Sequence, residues 1–262
     1  MSRIFMNFGE AINEIRRDLK EMGVTVKPKS YQNKNIEGNP DFFTQELTNY
    51  CYTVLNPVDS LDQLQVTQPW CNLEANERFG GNRLNPGEAY KTRGEVWNEF
   101  LVNGKFDYSY PQRFNPLVNE EGYERYVSDN KDVLEDDLEV HVNEIDAIQE
   151  IAEELAKNPD SRQCYIPIFA PDDLVNLGGK KRIPCTLGYT LQVREGQLNI
   201  TYNMRSSDFA THFQNDIWLA VRLAMEVRDR IEKINGIKYP IGEFTHFTNS
   251  LHIYAKDIKN VF

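Results

Sequence analysis

The chain has little of what would tie it to nucleic acid, metal or membrane. Its 262 residues carry 29 Lys and Arg against 40 Asp and Glu, a formal charge of -11. Binding to a phosphate backbone depends on clustered cations that release counterions, so the charge argues against a nucleic-acid partner and none is expected, although a small anionic ligand in a local basic pocket is allowed. Cysteine and histidine are scarce, at 4 each. Cys51, Cys71, Cys164 and Cys185 show neither a CxxC spacing nor neighbouring histidines, so no metal site or redox pair is expected. They read as free thiols of a reducing compartment. No run approaches the roughly 20 apolar residues of a membrane span. The N-terminal stretch through Gly23 alternates charges where a signal peptide would have an apolar core. These absences predict a soluble, cytoplasmic protein with no membrane partner. No repeat or low-complexity linker divides the sequence, and its length suits a single domain over 1–262.

What is present is a mixed succession of patterns. Ile12, Ile15 and Leu19 at helical spacing predict a helix over 8–22, followed by a short strand at 24–26. The β-branched and aromatic stretch 46–55 predicts a strand ending at the Asn56-Pro57 turn. Helices are predicted over 72–79, over 88–101 after the Asn85-Pro86-Gly87 turn, and over 145–155. Tyr108 and Tyr110 fall in a predicted loop, and 132–139 is an acidic run that reads as a solvated segment. A buried strand at 165–169 and a hairpin of 187–193 with 197–204, turning at Arg194-Glu195-Gly196, precede a long helix over 216–234. Strands, helices and hairpins in this order predict an α+β fold with a large sheet.

One stretch concentrates chemistry. Pro184-Cys185-Thr186, Arg205-Ser206-Ser207-Asp208 and Asn215-Asp216 bring together a thiol, a guanidinium with hydroxyls, and two carboxylates, the equipment for covalent chemistry on a small anionic substrate. Each has a plainer reading taken alone: an inert core thiol, a turn or helix cap at Asp208, an N-cap at Asp216.

As an ordered set, Pro184-Cys185, Arg205-Ser206-x-Asp208, Asn215-Asp216 and Ser250-Leu251-His252-Ile253-Tyr254 resemble the thymidylate synthase superfamily. Within it, Asn203-Met204-Arg205-Ser206 and Asn215-Asp216 look most like the phage deoxycytidylate hydroxymethylases. The resemblance is strongest over 158–254 and extends to 85–110. It implies a thymidylate synthase-like α+β fold, a large mixed sheet flanked by helices, and a homodimer packed sheet to sheet. The implied reaction joins a pyrimidine nucleoside monophosphate to a one-carbon unit from 5,10-methylenetetrahydrofolate. A phage-encoded enzyme of this kind would work in its host's cytoplasm.

The resemblance also assigns roles. Cys185 is the nucleophile that adds to C6 of the pyrimidine, and a nearby guanidinium is expected to lower its pKa. Arg205 and Ser206 hold the 5′-phosphate, with Lys29 as an N-terminal ligand and Arg162 reaching across from the partner subunit. Relatives commonly carry a second arginine after that one, and here it is Gln163. Asp208 binds the folate pteridine, and His252 with Tyr254, on one strand face, reach the sugar 3′-hydroxyl. Glu74 and Glu77 both suit the general base, and Tyr110, with Tyr108 behind it, serves removal of the C5 proton through water.

Asp216 bears on the substrate. Thymidylate synthases place an asparagine here for uracil, whereas a carboxyl group accepts from the 4-amino group of cytosine and, when protonated, donates to N3. A shift of one position would put Asn215 there and return uracil, but the ungapped spacing from Arg205 lands on Asp216. The few residues after Tyr254 read as too short for a water-excluding lid, which favours hydration over reduction. The expectation is dCMP 5-hydroxymethylation; the rivals are a methylase or hydroxymethylase acting on dUMP, and a nucleotide-binding homologue without turnover.

Overall fold

The computed structural model describes residues 3–31, 34–119, 142–178 and 181–262, and follows the predicted alternation of helix and strand. Strand β1 (Arg3–Phe5) leads into α1 (Phe8–Met22), which starts at Asn7, whose side chain accepts from the Glu10 amide. Its apolar stripe of Phe8, Ile12, Ile15 and Leu19 is buried. Next come β2 (Val24–Val26), β3 (Ser30–Tyr31), β4 (Lys34–Asn35), β5 (Thr44–Val54) and α2 (Trp70–Phe79). The middle of the chain holds α3 (Tyr110–Phe114), the pair β6 (Leu117–Asn119) and β7 (Val142–Glu144), and α4 (Ala147–Lys157). Strands β8 (Tyr165–Pro167), β9 (Thr186–Arg194) and β10 (Gln197–Asp208) precede α5 (Phe213–Asn235), β11 (Ile241–Tyr254) and α6 (Ile258–Val261).

One seven-stranded sheet runs β1-β5-β11-β10-β9-β8, with β2 also on β5. It is mixed: β1 pairs β5 and β10 pairs β11 in parallel, the latter through α5, and the remaining pairs are antiparallel. The β9–β10 hairpin turns at Glu195 and Gly196, both at positive φ, the two-residue geometry that matches strand twist. On the buried face, Tyr189, Tyr202, His246 and Tyr52 stand in cross-strand register. Tyr189 stacks on Tyr202 at 4.7 Å and Tyr202 on His246 at 5.1 Å. Phe8 of α1 meets Phe244 edge-on, and Phe213 of α5 packs on Tyr52 and His246, closing the core. Alternate positions on the opposite face, including Thr190, Thr201, Asn203, Thr245 and Phe247, stay partly exposed.

Two details of the fold position the site. Register between β9 and β10 slips where Asn203 faces Gly188 and Met204 faces Thr186, leaving Leu187 as a bulge. Such a bulge re-aims the strand ends, and here they carry Cys185 and Arg205. The second detail corrects an expectation: 88–101 is not an α-helix but a 3-10 segment, Ala89–Phe100, broken at Gly94 with φ 69° and ψ -157°. That backbone region is open to glycine and closed to other residues, so a continuous helix cannot pass through it.

Tyr110 lies not in a loop but at the first position of α3, under a capping box formed by Ser109 and Gln112. Helix α5 begins three residues before the expected start, which places Asp216 inside its first turn. The N-cap is His212, so the capping reading of Asp216 is excluded. The acidic run 132–139 lies outside the described residues. Among the described residues no helix is long and apolar enough to cross a membrane, and no group of three or more His, Cys, Asp or Glu could hold a metal ion.

Candidate active site

A cavity of about 370 Å³ opens where the ends of β10 and β11 meet α2, the first turn of α5 and the segment leading into β9. Every residue given a catalytic or binding role from the sequence lines it except Lys29 and Arg162. Lys29 is exposed and paired with Glu37 at 3.1 Å, next to Ser30 and Tyr31, which do line the cavity. Arg162 is exposed beside a separate polar depression that it shares with Glu154 and Asp160.

Cys185 sits immediately before β9, half-buried, with its Sγ 3.6 Å from Nη2 of Arg205. The expected depression of the thiol pKa is corrected: burial raises it, and Arg205 and Arg182 only moderate the rise, against the opposing pull of Asp216 and Asp208. A thiolate in this dry wall loses more hydration than one guanidinium returns. Arg205 is itself fixed, donating from Nε to the Pro184 carbonyl at 2.8 Å and from Nη2 to the Ile183 carbonyl at 3.0 Å. Those bonds orient the guanidinium plane beside Ser206.

The neighbouring residues of α5 divide their work. Asn215 is buried; its Oδ1 accepts from the Thr67 amide at 2.8 Å and from the Cys71 thiol at 3.2 Å, and its Nδ2 donates to the Thr211 carbonyl. Asp216 lines the cavity, and among the described residues its carboxyl has no hydrogen-bond partner. Burial pushes its pKa up to about 7; Arg78 and Arg93 hold it down while Glu74 and Asp208 push it further up. At neutral pH this carboxyl is poised between donor and acceptor.

Glu74 and Glu77 both reach the cavity wall from α2, yet their partners differ. Glu74 accepts from Nε of the buried Arg78 at 2.8 Å. Glu77 turns away to cap the 3-10 segment, accepting from the amides of Glu88 and Ala89 at 2.5 and 2.8 Å. A Cβ on Gly87 would collide with the Glu77 carboxylate, so glycine is needed for that approach. Burial tends to lower the Arg78 pKa, but Glu74 and the phenols of Tyr110 and Tyr189 outweigh it, and Arg78 stays a cation.

That cation lies 3.6 Å from the ring centroid of Tyr110. The Tyr110 hydroxyl is 3.0 Å from Oγ1 of Thr186, which is 2.8 Å from the Tyr202 hydroxyl. Tyr108 stands edge-on to Tyr110 at 6.0 Å. Burial raises the pKa of both phenols, so they remain protonated at neutral pH.

On β11, His252 and Tyr254 share one face with ring centroids 5.1 Å apart. Burial lowers the His252 pKa, so its ring is neutral, with Nδ1 near the Ser250 hydroxyl. Asp208 accepts from the Ala210 amide at 3.0 Å through Oδ1. Several lining residues escaped the reading of the sequence. Tyr31 packs on Tyr254 and Phe42 at 5.7 and 5.4 Å. Arg182 is buried against Trp97, Phe100 and Tyr108. Neither carries a local signal: Lys181-Arg182 reads as a surface basic pair, and Tyr31 sits in a short polar segment.

A model of the thymidylate synthase family matches residues 85–262. The chain belongs to the thymidylate synthase family. Over 127 residues it is 27% identical to the thymidylate synthase of Bacillus licheniformis, covering 47% of this chain and 40% of that protein. It is 29% identical over 118 residues to the deoxyuridylate hydroxymethyltransferase of Bacillus phage SP01, covering 44% of this chain and 29% of the relative. A third match, 30% identical over 106 residues, is to the deoxycytidylate 5-hydroxymethyltransferase of Enterobacteria phage T4, covering 39% and 43%. Each match therefore spans less than half the length of the relative. These relatives thus include one named thymidylate synthase and two named hydroxymethyltransferases, one of deoxyuridylate and one of deoxycytidylate.

Proposed function

We propose that this protein, as one catalytic domain over 1–262, is a folate-dependent C5 hydroxymethyltransferase that converts dCMP to 5-hydroxymethyl-dCMP. The observation that carries the reading is Asp216: it lines the cavity with a pKa near 7, while Asn215 is spent on holding 67–71 in place. A protonated carboxyl donates to the bare N3 of cytosine and accepts from its 4-amino group, and the ionised form still accepts from that amino group but has no proton for the O4 of uracil. The partial similarity to two phage hydroxymethyltransferases supports hydroxymethyl as the product.

Cys185 adds to C6 of the pyrimidine, forming the S–C6 bond and moving the ring electron pair to C5, which becomes the nucleophile. The co-substrate 5,10-methylenetetrahydrofolate supplies the one-carbon unit. The apolar wall of Trp97, Tyr90, Leu84 and Leu177, with the Asp208 carboxylate, suits a flat ring bearing amino donors. Arg205 and Ser206 take the 5′-phosphate, and His252 and Tyr254 the sugar hydroxyl. Glu74 is the general base, because the Glu77 carboxylate is committed to its cap. Tyr110 accepts from the water that removes the C5 proton.

The functional unit is a homodimer of sheets packed through the face carrying Thr190, Thr201, Asn203 and Phe247, with Arg162 completing the partner's phosphate site. Support comes from the partial exposure of that face and of Arg162. Tritium release from C5 of dCMP, lost in Cys185→Ala, tests the covalent step. No release from the unaltered protein would exclude it.

A further inference from the structure

We propose that Thr186 is a positioning residue that holds the Tyr110 hydroxyl in place at the cavity wall. This rests on the reading above, in which Tyr110 takes part in removing the C5 proton. Thr186 directly follows Cys185 and is fully buried. Its Oγ1 lies between two phenols, 3.0 Å from Tyr110 and 2.8 Å from Tyr202.

A hydroxyl has one proton to give and two lone pairs to receive. Tyr189 lies flat on Tyr202, at 4.7 Å and 10° between planes, so its hydroxyl joins the same cluster. Thr186 therefore joins Tyr110 to the sheet-side pair of Tyr202 and Tyr189, and in each of its two bonds either oxygen can donate.

The ring has little room to change this arrangement. The Arg78 guanidinium lies over its face at 3.6 Å, and Ser109 caps the helix that carries it. In so dry a cluster an unpaired hydroxyl is costly, so removal of the Thr186 oxygen turns the Tyr110 hydroxyl to another partner. Tyr110 is then no longer held where the reaction needs it. The loss falls on proton removal and spares the attack by Cys185.

The test compares the unaltered protein with Thr186→Val and Thr186→Ser in two assays. One is tritium release from dCMP labelled at C5, with methylenetetrahydrofolate; the other is covalent trapping of Cys185 by 5-fluoro-dCMP, which has no C5 proton to lose. Thr186→Val is expected to lower kcat for tritium release by ~10- to 100-fold, with KM for the nucleotide within about twofold and trapping retained. Thr186→Ser, which keeps the hydroxyl, is expected to recover most of the rate. Unaltered tritium release in Thr186→Val, or loss of trapping in proportion to release, would overturn the proposal.

If Thr186→Val does not fold, Tyr202→Phe decides, because it removes the other hydroxyl that fixes the Thr186 side chain and should give the same selective loss. An unaltered rate in Tyr202→Phe overturns the proposal. Unaltered protein that releases no tritium from dCMP overturns the substrate reading instead, and the same variants on labelled dUMP then test Thr186 by itself. Release from neither nucleotide overturns both.

Discussion

Asn215 and Asp216 are consecutive on α5, and the helix sends them to different places. Asn215 accepts from the Thr67 amide at 2.8 Å and ties down the segment ahead of α2, whereas Asp216 lines the cavity. Exchanging the cavity group should therefore exchange the base. Asp216→Asn is expected to shift the ratio of kcat/KM for dUMP over dCMP by about 100-fold toward dUMP, measured by tritium release from each labelled nucleotide.

The same carboxyl sets a pH dependence. Its folded pKa of about 7 stands above the ordinary 3.8. Between these values the folded protein holds a proton that the unfolded chain has lost, so this group's contribution to stability falls as pH rises through that window and is level above it. Asp216→Asn should be more stable than the unaltered protein at pH 8, by on the order of a few kcal/mol, with the gap closing as pH falls toward 4. Denaturant melts across this range measure it.

Glu74 and Glu77 are separable by their partners. Glu77→Gln should cost about 1 kcal/mol through its weakened cap while keeping tritium release within about threefold. Glu74→Gln should lower tritium release by ~100-fold and, by leaving the buried Arg78 without its carboxylate, also lower the Tm.

The thiol offers a third handle. Burial raises the Cys185 pKa, and Arg205 opposes that rise. Removing the cation in Arg205→Met should push the pKa further up, leave less thiolate at pH 8 and slow alkylation of Cys185 by iodoacetamide by roughly tenfold. Faster alkylation would mean that the two side chains are not coupled as described.

Sharing of Arg162 across a dimer is tested by complementation. Cys185→Ala and Arg162→Ala proteins, each inactive alone, should regain activity when mixed after partial unfolding and refolding, and sedimentation should give a dimer. Absence of recovery counts against the shared site.

Much of this was legible in the sequence for a physical reason. Period and punctuation predicted α1, β5, the β9–β10 hairpin and α5, because each pairs an apolar repeat with a clear turn or cap. The motif residues Cys185, Arg205, Asp208 and Asp216 converge because a hairpin and one crossover helix bring their ends together. Less visible was anything set by a distant partner. The break at Gly94 depends on a backbone angle, the raised thiol pKa on burial by other elements, and the different duties of Glu74 and Glu77 on amides from a later segment. Arg182 and Tyr31 enter the cavity from stretches with no periodic signal.

The most direct measurement is the identity of the product. Incubation of the protein with dCMP and 5,10-methylenetetrahydrofolate, followed by mass spectrometry of the nucleotide, is expected to give dCMP heavier by one CH2O unit, with no such product from Cys185→Ala. Unchanged dCMP, or a methylated nucleotide formed from dUMP alone, would contradict the assignment.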